Sequence, residues 1–261
     1  MPHSAEEPRN SGAKIALVTG AGRGSGRAIA QRLSAAGHRV VLTARTRDEL
    51  EQVADSCPGE TLVVPADITD QAGVEEVFSQ AETAWGTVDI LVANAGAGFS
   101  ARLERTDDEQ WLRMIDLNLT APFRCLRRAI PAMRKEKWGR IVVVASTAAR
   151  VGEPYIAAYA ASKHGALGLV RVAATELASD GITVNAVCPG FVDTPMTDAT
   201  IARIASGSGR TEAEARAIIE GKQPIGRLIT PDEVAAAVLY CTETAAMSGQ
   251  GLTIDGGSIQ P

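Results

Sequence analysis

Tyr159 and Lys163 stand four residues apart, and Ser146 stands thirteen before Tyr159. On a helix that four-residue spacing puts the phenol and the amine on one face. A free phenol has a pKa of about 10, too high for ready proton exchange near neutrality. A neighbouring ammonium stabilises the phenolate and lowers that value. Lowering it by about three units takes about 4 kcal/mol of differential stabilisation. The same spacing also describes a half-buried ring beside a solvated amine. The elements around the pair must decide between the two.

Those elements alternate. Residues 15–18 are aliphatic and lead into Thr19-Gly-Ala-Gly-Arg-Gly-Ser-Gly26, then into a helical pattern over 27–36. A strand, a glycine turn and a helix in that order let backbone N–H groups reach a pyrophosphate at the helix N-terminus. The turn has the spacing Thr-Gly-x-x-x-Gly-x-Gly, carried by Gly20, Gly24 and Gly26, rather than G-x-G-x-x-G. A second strand over 39–45 ends at Ala44 and Arg45, with no acid to bind an adenosine ribose 2′-OH. An arginine at this place accommodates a 2′-phosphate. Arg23, within the turn, falls on the same side, and two guanidiniums suit a phosphate dianion. That pairing favours NADPH over NADH.

Thr46-Arg-Asp-Glu49 reads as a capping box for a helix to about residue 54. A third strand spans 61–66. Asp67 follows it, placed either to accept from an adenine amino group or to cap the helix over 70–85. A fourth strand, 88–93, leads to Asn94-Ala-Gly-Ala-Gly98, whose small residues allow close approach of a ligand. Thr106-Asp-Asp-Glu109 reads as another capping box, opening a helix through Asn118 to about residue 135. Asn118 interrupts an apolar pattern as a satisfied buried amide or as a functional kink, and nearby Pro122 supports an interruption. A fifth strand, 139–145, delivers Ser146 to its carboxyl end, where open α/β sheets bind ligands; the alternative is a local cap. A sixth strand covers 181–187, and a seventh 251–254. Thr211 and Thr230 each begin a capping-box pattern for a further helix. Regular alternation of strand and helix implies an α/β fold: one doubly wound parallel sheet of about seven strands with helices on both faces.

Composition narrows the function. The net charge is −5 and no basic stripe is present, which argues against a nucleic-acid partner. Aromatics are only 4% and aliphatics dominate, as suits helices packed on a parallel sheet. Cys57, Cys125, Cys188 and Cys241 form no C-x-x-C, and His3, His38 and His164 form no ligand cluster. No metal is expected; core thiols in a reducing, cytoplasmic compartment are. Residues 1–13 are polar and contain two prolines, so they are expected to form a disordered tail. Residues 14–261 are expected to form a single domain. No uninterrupted apolar stretch reaches the about 18 residues of a membrane span.

Together the glycine turn, Asn94-Ala-Gly96, Asn118, Ser146, Tyr159-x-x-x-Lys163 and Pro189-Gly190 resemble the short-chain dehydrogenase/reductase family over roughly residues 14–257. The stretches around Ser162–Gly165 and 181–196 are similar to 3-oxoacyl-thioester reductases and polyketide ketoreductases. The resemblance implies a Rossmann-type sheet and a set of roles. Tyr159 is the proton donor or acceptor. Lys163 binds the nicotinamide ribose and lowers the Tyr159 pKa. Ser146 holds the substrate oxygen, and Asn118 holds a water in a relay with Lys163. Gly20, Gly24, Ser25 and Gly26 shape the pyrophosphate site, and Asp67 and Ile68 meet adenine. Asn94, Ala95 and Gly96 line the ribose region, and Pro189, Gly190, Val192 and Thr194 the nicotinamide. Ala93 and Ser25 depart from the family's frequent asparagine and aliphatic residue at these places. A homotetramer built on the Tyr159 helix and the C-terminal segment is also implied.

The expected reaction is reduction of a ketone by NADPH, on a 3-oxoacyl thioester, a polyketide or another hydrophobic ketone. Phe99, Ala148, Val151, Tyr155, Phe191 and Met196 are expected to line an apolar substrate pocket. Residues 194–226, the least patterned stretch, are expected to form a mobile lid that excludes water. Its cations Arg203, Arg210, Arg216 and Lys222 are expected to be solvated, with a coenzyme phosphate as the alternative partner. Rival readings are oxidation of a secondary alcohol or hydroxysteroid, and non-catalytic sensing of a dinucleotide.

Overall fold

The computed structural model describes residues 12–260. Most of the stretch 1–13, expected as a tail, lies outside the described residues. Seven strands form one sheet: β1 (Ile15–Thr19), β2 (Arg39–Thr43), β3 (Thr61–Val63), β4 (Ile90–Ala93), β5 (Gly139–Val144), β6 (Ile182–Pro189) and β7 (Gly251–Ile254). Their order is β3-β2-β1-β4-β5-β6-β7, and every pairing is parallel. The expected doubly wound α/β fold is present. The order reverses between β1 and β4, which opens a crevice at the carboxyl ends of those strands.

Both faces of the sheet are covered, so its strands read as aliphatic runs rather than alternating ones. Side chains still alternate in direction. Along β1, Ile15 and Leu17 enter one core while Ala16 and Val18 enter the other. The second core packs under α1 (Gly24–Ala35), α2 (Arg47–Asp55) and α9 (Pro231–Glu243). The first packs under α3 (Gln71–Ala84), α5 (Ala121–Glu136) and α6 (Ala157–Leu177). Cys125, Cys188 and Cys241 are buried free thiols within these cores.

The helix expected across 106–135 is two helices. The first, α4 (Asp108–Ile115), is joined to α5 by a π-helical turn, Asp116–Thr120. Pro122 explains why the ladder slips here: it has no N–H for the Asn118 carbonyl four residues before it. β3 is shorter than its sequence suggests because Pro65 also lacks an N–H. Val64 and Ala66 still donate to Leu42 and Ala44, at 3.0 Å each.

Two of the four expected capping boxes form, at Thr211 and Thr230. The other two expectations are corrected. Asp107 rather than Thr106 caps α4, accepting from the Gln110 N–H at 2.8 Å. Thr46 stands at the N-cap of α2 but its side chain accepts nothing. Asp67 does not cap α3; Asp70 does, accepting from Ala72 N. Residues 194–226 are more regular than expected. They fold as α7 (Pro195–Ser208) and α8 (Glu212–Gly221), packed on a small core of Ile201, Ala205, Ala215, Ile219 and Leu228. Gly209, at φ 70°, ends α7 in the left-handed conformation.

The caps make a stability comparison. Thr230→Ala should cost about 1 kcal/mol, read from the urea midpoint at unchanged slope, because it removes a formed cap. Thr46→Ala should move the midpoint far less, because no cap bond is there to lose.

Candidate active site

One cleft of about 1690 Å³ runs along the carboxyl ends of the strands, from the glycine turn to α7. The turn forms its floor at one end. Gly20 and Gly24 sit at φ 65° and 53°, where a side chain is strained. A Cβ on Gly26 would lie 2.0 Å from the Gly20 carbonyl oxygen. Asn94 locks the turn onto β4: its Nδ2 donates to the carbonyls of Thr19 at 2.9 Å and Gly20 at 3.3 Å. Thr19 Oγ1 in turn accepts from the Asn94 and Ala95 N–H groups, at 3.0 Å each. α1 starts beside this cradle without a side-chain cap. Backbone packed too tightly for side chains, next to an uncapped helix start, fits a dinucleotide pyrophosphate. Ser25, Ile68, Gly96, Pro189, Gly190, Val192 and Thr194 also line the cleft, as do Arg23, Arg45 and Asp67. Asp67 Oδ1 accepts from both Thr69 N and Thr69 Oγ1, which with nearby Arg45 holds its carboxyl below the usual range.

At the centre, β5 and α6 bring the polar groups together. Ser146 follows β5 and caps a short 3-10 turn, accepting from Ala148 N at 3.1 Å. Ser146 and Tyr159 line the same cleft. The two readings of Ser146, cap and site residue, are therefore compatible. Lys163 is buried, and its ammonium donates to the Val144 carbonyl at 2.9 Å. The alternative of a solvated amine does not hold. Burial pushes the Lys163 pKa down to about 8. Its Nζ lies 5.7 Å from the Tyr159 ring centroid.

The phenol departs from expectation. Burial pushes the Tyr159 pKa up, and the interaction with Ser146 only partly opposes it. The Lys163 ammonium is turned to the Val144 carbonyl. Asn118, in the π turn, resolves the choice left open by pattern. It is a satisfied buried amide: Nδ2 donates to Ala97 O at 3.0 Å and Ser162 Oγ at 3.2 Å, and Oδ1 accepts from Ala97 N at 3.1 Å. It is also a tie between the loop after β4 and the helix bearing Tyr159. A Cβ on Gly96 would lie 2.8 Å from Asn118 Oδ1 and 3.5 Å from Lys163 Nζ.

Phe99, Ala148, Tyr155, Phe191 and Met196 line the far end of the cleft. Val151, also expected there, is not among its lining residues, whereas Ile156 is. Tyr155 sits at φ 72°, and its carbonyl accepts from Ala101 N at 2.8 Å. Three of the lid cations are paired. Arg216 meets Asp193 at 2.8 Å and Glu220 at 3.0 Å, Lys222 meets Glu153 at 3.6 Å, and Arg203 donates to Ser100 Oγ at 2.9 Å. Gln223 went unnoticed in sequence. It is fully buried, accepts from Phe191 N at 2.9 Å and donates to Arg227 O at 2.7 Å, so it pins the substrate-side turn to the base of α8. A glutamine in a polar-looking loop gives no sequence signal for such a role.

The family model described as short chain dehydrogenase matches residues 14–204. D-beta-hydroxybutyrate dehydrogenase of Rhizobium meliloti (strain 1021) is 38% identical over 253 residues, covering 94% of this chain and 98% of that protein. The 3-oxoacyl-acyl-carrier-protein reductase FabG of Escherichia coli (strain K12) is 39% identical over 246 residues, covering 94% and 96%. Among solved structures, an actinorhodin polyketide ketoreductase variant with NADPH superposes with a TM-score of 0.90 at 37% identity, covering 94% of this chain and 97% of that one. Levodione reductase superposes with a TM-score of 0.89 at 29% identity, covering 95% and 98%.

The buried amine predicts a pH effect. The folded-state pKa of Lys163, about 8, lies below its ordinary value of 10.5. Between about pH 8 and 10 the unfolded chain therefore binds more protons at this residue, and stability rises with pH. Tyr159, shifted up, opposes this only above about pH 10. Lys163→Met should flatten the rise, measured as urea midpoints across that window.

Proposed function

Because this chain belongs to the short-chain dehydrogenase family, we propose that it is an NADPH-dependent oxidoreductase that reduces a hydrophobic ketone to a secondary alcohol. One observation carries the reading: Ser146, Tyr159 and Lys163 converge in a cleft continuous with a glycine cradle shaped for a dinucleotide. The choice of NADPH rests on Arg45 and Arg23 lining the adenosine end, where β2 supplies no acid. The 3-oxoacyl reductase and ketoreductase relatives point to a 3-oxoacyl thioester or polyketide as substrate.

The residues divide the work. Gly20, Gly24 and Gly26 with the start of α1 would hold the pyrophosphate, and Lys163 the nicotinamide ribose. A bound nicotinamide supplies hydride chemistry at the carbonyl carbon. Ser146 Oγ–H and Tyr159 Oη–H donate to the carbonyl oxygen and stabilise the charge that develops there. Tyr159 then gives up its proton to that oxygen. The phenol is protonated at neutral pH, so the resting site holds the proton that reduction consumes. Lys163, ionised below about pH 8, restrains the phenolate left behind. Asn118 fixes the loop that faces Lys163, and its carbonyl would seat a relay water to replace the proton. Phe99, Tyr155, Phe191 and Met196 give the acyl or aryl part of the substrate an apolar wall. α7 and α8 close the far side as a lid. We place the enzyme in the cytoplasm as a homotetramer.

Oxidation of a short hydroxy acid is the second reading, favoured by the similarity to a D-beta-hydroxybutyrate dehydrogenase. It would use the same groups in reverse, with Tyr159 taking the proton of the alcohol. Tyr159→Phe should bind NADPH as tightly as the parent and lose at least about a hundredfold in turnover. NADPH fluorescence and NADPH consumption with acetoacetyl thioesters, aryl ketones and steroid ketones, repeated with NADH, measure both. Retained turnover in the variant would refute the role of Tyr159.

A further inference from the structure

Thr46-Arg-Asp-Glu49 has the sequence of a capping box, yet its side chains do not close on each other. Glu49 turns away from the start of α2 and lies against the glycine turn. A Cβ on Gly22 would meet Glu49 Cβ and Oε2, at 3.0 Å each. Glu49 Oε1 is 3.6 Å from Arg23 Nη1. Both side chains line the adenosine end of the cleft, together with Ala44, Arg45 and Thr46. One of the two guanidiniums assigned to a 2′-phosphate thus already faces a carboxylate. The rest of α2 does not share this role: Arg47, on the next position, pairs with Glu51 at 3.5 Å.

We propose that Glu49 is a specificity-determining residue that competes with the cofactor's 2′-phosphate for Arg23. The proposal rests on the reading that this cleft binds a nicotinamide dinucleotide. The physics is a difference between two ligands. A 2′-phosphate dianion entering beside Glu49 is repelled, and it gains Arg23 only by breaking the existing pair. A neutral 2′-hydroxyl meets no repulsion and can donate to the carboxylate. Glu49 therefore narrows the preference for NADPH that Arg23 and Arg45 set together, and leaves the chain more tolerant of NADH than its arginines suggest. The pair is solvent-exposed, with the Arg23 side chain 67% accessible, so its strength is modest and salt-screened.

The test is direct binding to the full-length protein, followed by nicotinamide fluorescence. The quantity is the ratio of the NADH to the NADPH dissociation constant. Glu49→Gln should raise that ratio about three- to fivefold, mainly by tightening NADPH. Arg23→Gln should lower it. In an Arg23→Gln background, Glu49→Gln should change the ratio less, because the competition for Arg23 is gone and only the direct effect of the carboxylate on the ligand remains. No change on Glu49→Gln, or the same change in both backgrounds, would overturn the proposal. A parent protein that binds NADH more tightly would refute the NADPH assignment alone, since the shift caused by Glu49→Gln remains readable. Both substitutions alter accessible side chains at the cleft rim, outside the groups that handle the proton.

Discussion

The site depends on a place where the chain has no room for a side chain. The Gly26 Cα packs so closely on the Gly20 carbonyl that a methyl group there would overlap it, at 2.0 Å, and would meet the Asn94 amide at 2.6 Å. That contact brings the start of α1 against the ends of β1 and β4. The hydrogen bonds between Thr19 and Asn94 then fix the two halves of the sheet at the point where strand order reverses. The crevice exists because the order reverses there. A single methylene at Gly26 would separate these elements and the binding surface together.

The other constraint is the burial of Lys163. An ammonium in the interior is costly unless it finds an acceptor. It finds the carbonyl of Val144, on the strand that also leads to Ser146. The same burial raises the Tyr159 phenol instead of lowering it. Sequence spacing suggested that a neighbouring positive charge would govern the phenol. In the folded chain desolvation of the phenol works against that charge, and the amine is turned to the Val144 carbonyl. The resting state is therefore a protonated phenol beside an amine near its own titration point.

Around this centre the chain spends buried polar side chains on position. Asn118 bridges the loop after β4 to α6, and Gln223 bridges the turn after β6 to the base of α8. Each replaces backbone pairing that irregular segments cannot supply for themselves. Residues 194–226 are accordingly a small packed unit of two helices rather than a loose loop. Its charges are largely neutralised by neighbours on the lid and across the cleft mouth.

Much of this was legible in the residues. Aliphatic runs separated by helical patterns determine a doubly wound parallel sheet, because a strand covered on both faces must be apolar throughout. The glycine spacing locates the cradle, since only glycine tolerates φ 65° at Gly20 and the close contact at Gly26. Tyr159, Lys163 and Ser146 were marked by type and by their place at strand and helix ends. What the sequence could not determine was where ambiguous polar side chains turn. Thr46 and Glu49 have the spacing of a cap, but Glu49 also lies within reach of Arg23, which is adjacent only once β1 and β2 pair. Val151 has the right character for the pocket but does not line the cleft. Local pattern sets which hydrogen bonds and contacts are available to a residue. Tertiary structure chooses among them, because the competing partner is brought close only by folding.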